Sequence, residues 1–176
     1  ASPRLDVSVN CLSRICRSRR SWQSNSRRPT IRLFLDANIP MYAAGGDHAL
    51  KAPCRAVLEL AARRPRSFVT DAEVLQEILH RYVAQQRWAL GRGLFEDFER
   101  LMRGRIEPIG APDVVAAASI AANAGAMSAR DLIHLAVMRR IEAGHVVSAD
   151  RSYTGVAGVV RLDPMDVDSI ERASTS

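Results

Sequence analysis

IRLFLDANIP, residues 31–40, is a short apolar run that closes on an acid, Asp36, and passes at once into a helix-initiating Asn-Ile-Pro. That pattern reads as a buried strand followed by a helix. Working outward from it, residues 48–64 place Ala49, Ala52, Ala56, Val57, Leu60 and Ala61 at helical spacing. SFVT (67–70) is a second short strand and 71–86 a second strong helix. Residues 88–103 repeat the helical spacing with Leu90, Leu94, Phe95, Phe98, Leu101 and Met102. RIEPI (105–109) reads as a weak strand or extended connector. An Ala-rich helix over 114–123 is stopped by Gly125, and another over 128–143 by Gly144. HVVSAD (145–150) and GVVRL (158–162) are the third and fourth apolar strands, and the polar residues 165–176 read as a frayed tail. Short β-branched strands alternating with helices predict a three-layer α/β/α sandwich over residues 31–164, with a short, mostly parallel central sheet.

Length and composition, 176 residues with 47% apolar and 25% charged, allow one core and not two. The net charge of +6 is concentrated at one end. Residues 1–30 hold seven Arg (Arg4, Arg14, Arg17, Arg19, Arg20, Arg27, Arg28) against one acid, Asp6, while the remainder carries 18 basic and 18 acidic residues. The high pI therefore reports on a short arm and not on a basic folded face. With seven Ser and no periodic apolar face, this arm is expected to be disordered. It reads as a non-structural extension, a phosphate-contacting arm or an Arg- and Ser-rich transit peptide. No stretch approaches the roughly 18 consecutive apolar residues of a membrane span, and no apolar signal-peptide segment precedes residue 31, so a cytoplasmic protein without membrane contact is expected. Cys11, Cys16 and Cys54 form no Cys-x-x-Cys pair and support neither a disulfide framework nor a zinc knuckle.

In open α/β sheets the ligand site lies beyond the carboxyl ends of the strands. Asp36 and Asp150 each end a strand, so both carboxylates are expected on one edge; each could instead be a cap or turn residue. On the helix after the second strand, Glu77 falls at the border of the apolar face defined by Val74, Leu75, Ile78, Leu79 and Tyr82. There it can reach over the sheet edge, or pair with Arg81 one turn on. Glu73 lies opposite that face and is expected to be solvated, a first-turn partner of the helix dipole. Asp131 opens a helix that is apolar nearly all round, where it could close a capping box with Ser128 or deliver a carboxylate to the same edge.

Carboxylates gathered at one site repel, and their pKa values rise unless a cation resolves the conflict. Oxygen-only ligands select Mg²⁺ or Mn²⁺ over zinc, and the chemistry such ions serve is in-line displacement at phosphorus by an activated water. Phosphodiester hydrolysis is the reaction these residues suggest.

The same residues resemble a known family, the PIN-domain ribonucleases, and within it the VapC-type toxins of bacterial toxin–antitoxin pairs. The matching pieces are FLDANIPMYA, VTDAEVLQEILHRY, SARDLIHLAVMRR and VVSADRSYTGVAGVVRLDP, in order over residues 31–164. The resemblance implies that Asp36, Glu77, Asp131 and Asp150 form a catalytic, metal-binding acidic quartet supported by Asn38 and Ser148. It also implies an RNA substrate, Mg²⁺ or Mn²⁺ dependence, a homodimer and inhibition by a small VapB-type antitoxin. Two departures stand out: the Arg-rich arm has no counterpart, and Tyr153 stands where members often carry Phe.

Other readings fit less well. Dehalogenase-type aspartyl phosphatases need a second acid where Asn38 stands, and receiver domains need a strand-end lysine, whereas Lys51 lies in a predicted helix. Glu77-x-x-His80 and Asp131-x-x-His134 have the spacing of a di-iron bundle, but the strands count against it, and both His read as surface groups or supports. Gly45-Gly46 and Gly91-Arg-Gly93 lack the strand-to-helix context of a phosphate cradle. The rival from another class is a non-catalytic PIN-like module that binds RNA or a partner; intact acids argue against it, because unpaired acids are costly to hold together. Since the body has no net charge, RNA must meet local arginines, with Arg81, Arg87, Arg92, Arg130 and Arg151 as candidates. Trp88 reads as a core or dimer residue before a base-stacking one.

Overall fold

Leu33–Leu35 form β1, and all three side chains are fully buried, as a strand covered by helices on both faces requires. The computed structural model describes residues 31–122, 125 and 127–175. Beyond β1 come α1 (Asn38–Ala44), α2 (Lys51–Arg63), β2 (Phe68–Asp71), α3 (Ala72–Ala84), α4 (Trp88–Met102), β3 (Ile106–Glu107), α5 (Ala111–Ala121), α6 (Ala129–Arg140), β4 (His145–Val147), β5 (Val160–Leu162) and α7 (Val167–Ala173). The sheet runs β3-β2-β1-β4-β5 and every pairing is parallel. The chain leaves β1 for β2 on one side and reaches β4 on the other, so a crevice opens at the carboxyl end of β1, where ligands of such sheets bind.

The core joins β1, Phe68 and Val69 of β2, and Val146 and Val147 of β4 to Val57, Leu58 and Leu60 of α2, Val74 and Ile78 of α3, and Phe98 of α4. Thr70 ties the functional ends of two strands together, its hydroxyl donating to the Leu35 carbonyl at 2.9 Å. The α3–α4 hairpin closes tightly at Gly91, where a Cβ would stand 2.2 Å from the Tyr82 ring. Gly91 is thus a packing residue.

One expectation holds here and one changes. RIEPI contributes only two residues of strand, paired with Thr70 and Asp71 of β2. The expected frayed tail is instead anchored: residues 167–173 form α7, with Ile170 fully buried. Arg64 holds it by donating to the Glu171 carbonyl (2.8 Å), the Glu171 carboxylate (2.9 Å) and the Ser174 hydroxyl (2.7 Å). The Ser67 hydroxyl, donating to the Ser174 carbonyl at 2.7 Å, completes the clasp. The Arg-rich arm, residues 1–30, lies outside the described residues. Among the described residues no helix is long and apolar enough to cross a membrane.

Candidate active site

Asp36 follows β1 directly and is 5% exposed. Its Oδ2 accepts from Asn38 Nδ2 at 2.5 Å and from the Ser148 hydroxyl. Asn38 Nδ2 also donates to Ser148 Oγ at 2.9 Å, while Asn38 Oδ1 accepts from the Ala149 N–H at 3.1 Å. The first turn of α1 is thereby pinned to the loop leaving β4, with the Asp36 carboxylate between them. Burial pushes the Asp36 carboxyl up to about 6; the His134 charge and the Ser148 hydroxyl pull it down, and the neighbouring Glu77 and Asp131 push it up again.

Glu77 comes from α3 and His134 from α6, and ligand atoms of Asp36, Glu77 and His134 all lie within 4.8 Å of one another. His134 is fully buried, tilted against Phe34 of β1 with ring centroids 5.3 Å apart. Its Nδ1 lies 2.8 Å from Asp71 Oδ2 and its Nε2 3.1 Å from Glu77 Oε1. Burial works against a charge on this ring, but the hydrogen bonds to Asp71 and Glu77 prevail and raise it to about 10.

Asp131 does two jobs. Its Oδ2 accepts from the Ser128 N–H (3.2 Å) and hydroxyl (2.8 Å), closing the capping box, while Oδ1 accepts from the Tyr153 hydroxyl at 3.1 Å. Its charge reaches Asp36 even so. Asp150 is exposed and caps the turn after β4, Oδ1 accepting from the Ser152 N–H at 2.8 Å. Its own N–H donates to Ser148 Oγ at 2.9 Å. Neither Asp131 nor Asp150 joins the group of three within 4.8 Å.

The arginines divide. Arg130 lies over the acidic helix, 3.5 Å from Glu73 and 3.9 Å from Glu77, with His80 Nδ1 3.4 Å away. Glu73 is consequently half-buried and not solvated as its helical angle predicts, and its burial raises its carboxyl, with His134 pulling it down and Glu77 and Asp71 pushing it up. Among the described residues no ion pair links Glu77 to Arg81, the partner one turn on. Arg81, Arg87 and Arg151 are exposed, and Arg92 pairs with Glu96 at 3.3 Å. Trp88 packs edge-on against Phe95, centroids 5.7 Å apart.

Sequence reasoning missed Asp71 and underrated His134 and Tyr153. A signal existed for the first two: Asp71 is a third strand-end acid, and His134 is the one polar residue in the run 132–138 of α6. The donor set suits a hard divalent cation. Asp36 and Glu77 offer carboxylate oxygens in a mostly buried crevice where burial and like charge already oppose ionisation of Asp36.

The PIN-domain family profile matches residues 33–159. The chain is 37% identical over 130 residues to the VapC ribonuclease Mb1869c of Mycobacterium bovis, covering 74% of this chain and 98% of that protein. It is equally similar, over the same shares, to Ribonuclease VapC13 of Mycobacterium tuberculosis. Ribonuclease VapC23 of Mycobacterium tuberculosis is 36% identical over 110 residues, 61% of this chain and 84% of that protein. No solved structure matches the chain.

Proposed function

The chain belongs to the PIN-domain family, and from that premise we propose that it is a VapC-type toxin, an endoribonuclease that cleaves RNA phosphodiesters with Mg²⁺ or Mn²⁺. The single observation that carries the reading is the meeting of Asp36, Glu77 and His134 at the carboxyl edge of a parallel sheet. Asp36, Glu77 and Asp131 would hold the cation, and Asp150, two residues past Ser148, would complete the quartet. When bound, such an ion supplies Lewis acidity at the phosphoryl oxygens and a water acidic enough to attack at neutral pH.

The chain's own contribution is placement. Asn38 and Ser148 fix one oxygen of Asp36, so its other oxygen keeps one direction. Ser128 holds Oδ2 of Asp131 and Tyr153 its Oδ1, so both oxygens of that carboxylate keep their directions. Arg130, 3.9 Å from Glu77, would meet a phosphate brought to the site, and exposed Arg81, Arg87 and Arg151 would contact the RNA backbone farther out. By its kinship we further propose a homodimer, a small VapB-type antitoxin as partner, and a cytoplasmic site of action.

The test is cleavage of structured and unstructured RNA by the purified chain with Mn²⁺, beside Asp36→Asn and a chelated control. Cleavage by the wild type alone is the expected result. RNA left intact by the wild type removes the enzyme reading.

A further inference from the structure

Resting on the ribonuclease reading, we propose that His134 is a positioning residue: held by Asp71, it aims the Glu77 carboxylate at the cation site without being a ligand itself. Four contacts in series carry this. Asp71 is fully buried and is fixed by capping α3, its Oδ1 accepting from the Val74 N–H at 3.2 Å. Its other oxygen holds His134 Nδ1 at 2.8 Å. The ring cannot swing away, because it is packed against Phe34 and has no exposed surface. Nε2 then lies 3.1 Å from Glu77 Oε1.

A histidine that ligates a metal must point an unprotonated ring nitrogen at it and uses the other to donate to a support. Here both ring nitrogens are already engaged, Nδ1 by Asp71 Oδ2 at 2.8 Å and Nε2 by Glu77 Oε1 at 3.1 Å, so neither is turned toward an open position. Glu77 Oε1 is thereby committed to the ring. Oε2, 3.9 Å from Arg130, is left for the cation. Three atoms within 4.8 Å thus divide by role: two carboxylates that bind and one ring that orients.

The experiment uses two variants that keep a buried amide in the ring's place. In His134→Gln the amide nitrogen falls near Nε2 and can still donate to Glu77; in His134→Asn it falls near Nδ1 and reaches only Asp71. Mn²⁺ titrated calorimetrically into each full-length protein should bind His134→Asn about 10–100-fold more weakly than wild type, the usual cost of losing a support behind a ligand. His134→Gln should recover most of the affinity. A merely structural role would lower the melting temperature of both alike and leave Mn²⁺ affinity unchanged, which overturns the proposal.

Should the variants not fold, the wild type still decides. In protein labelled with ¹⁵N-histidine, the His134 Nε2–H signal should persist when Mg²⁺ is added. Its loss would make His134 a ligand and defeat the inference. A wild type that binds no Mn²⁺ defeats the ribonuclease reading as well, whereas a wild type that binds it beside an unaffected His134→Asn defeats this inference alone.

Discussion

Asn38 and Ser148, 110 positions apart in sequence, are hydrogen-bonded at 2.9 Å, and both donate to the same oxygen of Asp36. The three residues therefore behave as one unit. The bond spans the crevice at the centre of the sheet, so the direction of the Asp36 carboxylate depends on β1 and β4 keeping their register.

Asn38→Ala and Ser148→Ala each take one donor from a buried carboxylate oxygen. Each should slow Mn²⁺-dependent RNA cleavage by about 10–100-fold, as losses behind a metal ligand do. Each should also cost about 1–3 kcal/mol in urea denaturation, because a buried acceptor loses a partner. Wild-type cleavage rates in both variants would show that Asp36 needs no such support.

Asp131 can be tested apart from its capping role. Asp131→Asn keeps an amide oxygen for the Ser128 N–H, and the Tyr153 hydroxyl can accept from the new amide, so the fold should persist while cleavage and growth inhibition are abolished. Tyr153→Phe keeps the buried ring and removes only the bond to Oδ1. It should cost about 1 kcal/mol of stability, the ordinary net worth of a hydrogen bond, and leave measurable cleavage. Full activity in Asp131→Asn would take that residue out of the site.

Much of this edge was legible because strand ends are a local signal. FLD and VVSAD announce where carboxylates emerge, and apolar borders on α3 single out Glu77 over Glu73. What stayed hidden depends on contacts between elements distant in the chain. Glu73 lies opposite the apolar stripe of its own helix, yet Arg130 on α6 covers it. His134 sits in a helix with no polar face, so periodicity assigns it no direction; only the packing of α6 over β1 puts it between Asp71 and Glu77. Asp150 does not end its strand, since β4 stops at Val147 three residues earlier, and its carboxylate turns to the Ser152 N–H two residues on. Helix α7 escaped notice because seven residues with one deeply buried apolar anchor, Ile170, carry no periodic signal, and its clasp comes from Arg64 and Ser67.

Gly91→Ala should destabilise the chain by about 1–3 kcal/mol, the range for overpacking a well-filled site. The added methyl meets Cγ and Cβ of Tyr82 at 2.2 and 2.5 Å, and atoms so near the backbone cannot be relieved by rotating a side-chain tip. Alanine is otherwise the better helix former, so a neutral site would gain about 1 kcal/mol from the same change. Chemical denaturation of the variant reads the sign directly. A rise in stability would mean that α3 and α4 are not closely joined at this point.

Acid sensitivity should trace in part to Asp113, which joins α5 to α6. Its Oδ2 accepts from the Gly110 N–H at 2.9 Å and its Oδ1 from Arg140 Nε at 2.7 Å. The Gly110 N–H, and with it the Arg140 guanidinium, holds this carboxyl below its ordinary value of 3.8 against the opposing effect of burial. A carboxyl lowered in the folded state binds its proton less readily than in the unfolded chain, so its contribution is complete above about pH 4 and is lost as pH falls through the folded-state value. At pH 7, Asp113→Asn should cost about 1.5–3 kcal/mol, the range for hydrogen bonds to a charged group. The gap between variant and wild type should narrow as pH is lowered from 5 to 2, since protonation removes in the wild type what the substitution has already removed. Urea midpoints measured across that interval decide it: a gap that stays constant would mean that the Asp113 charge adds nothing to the joint between the two helices.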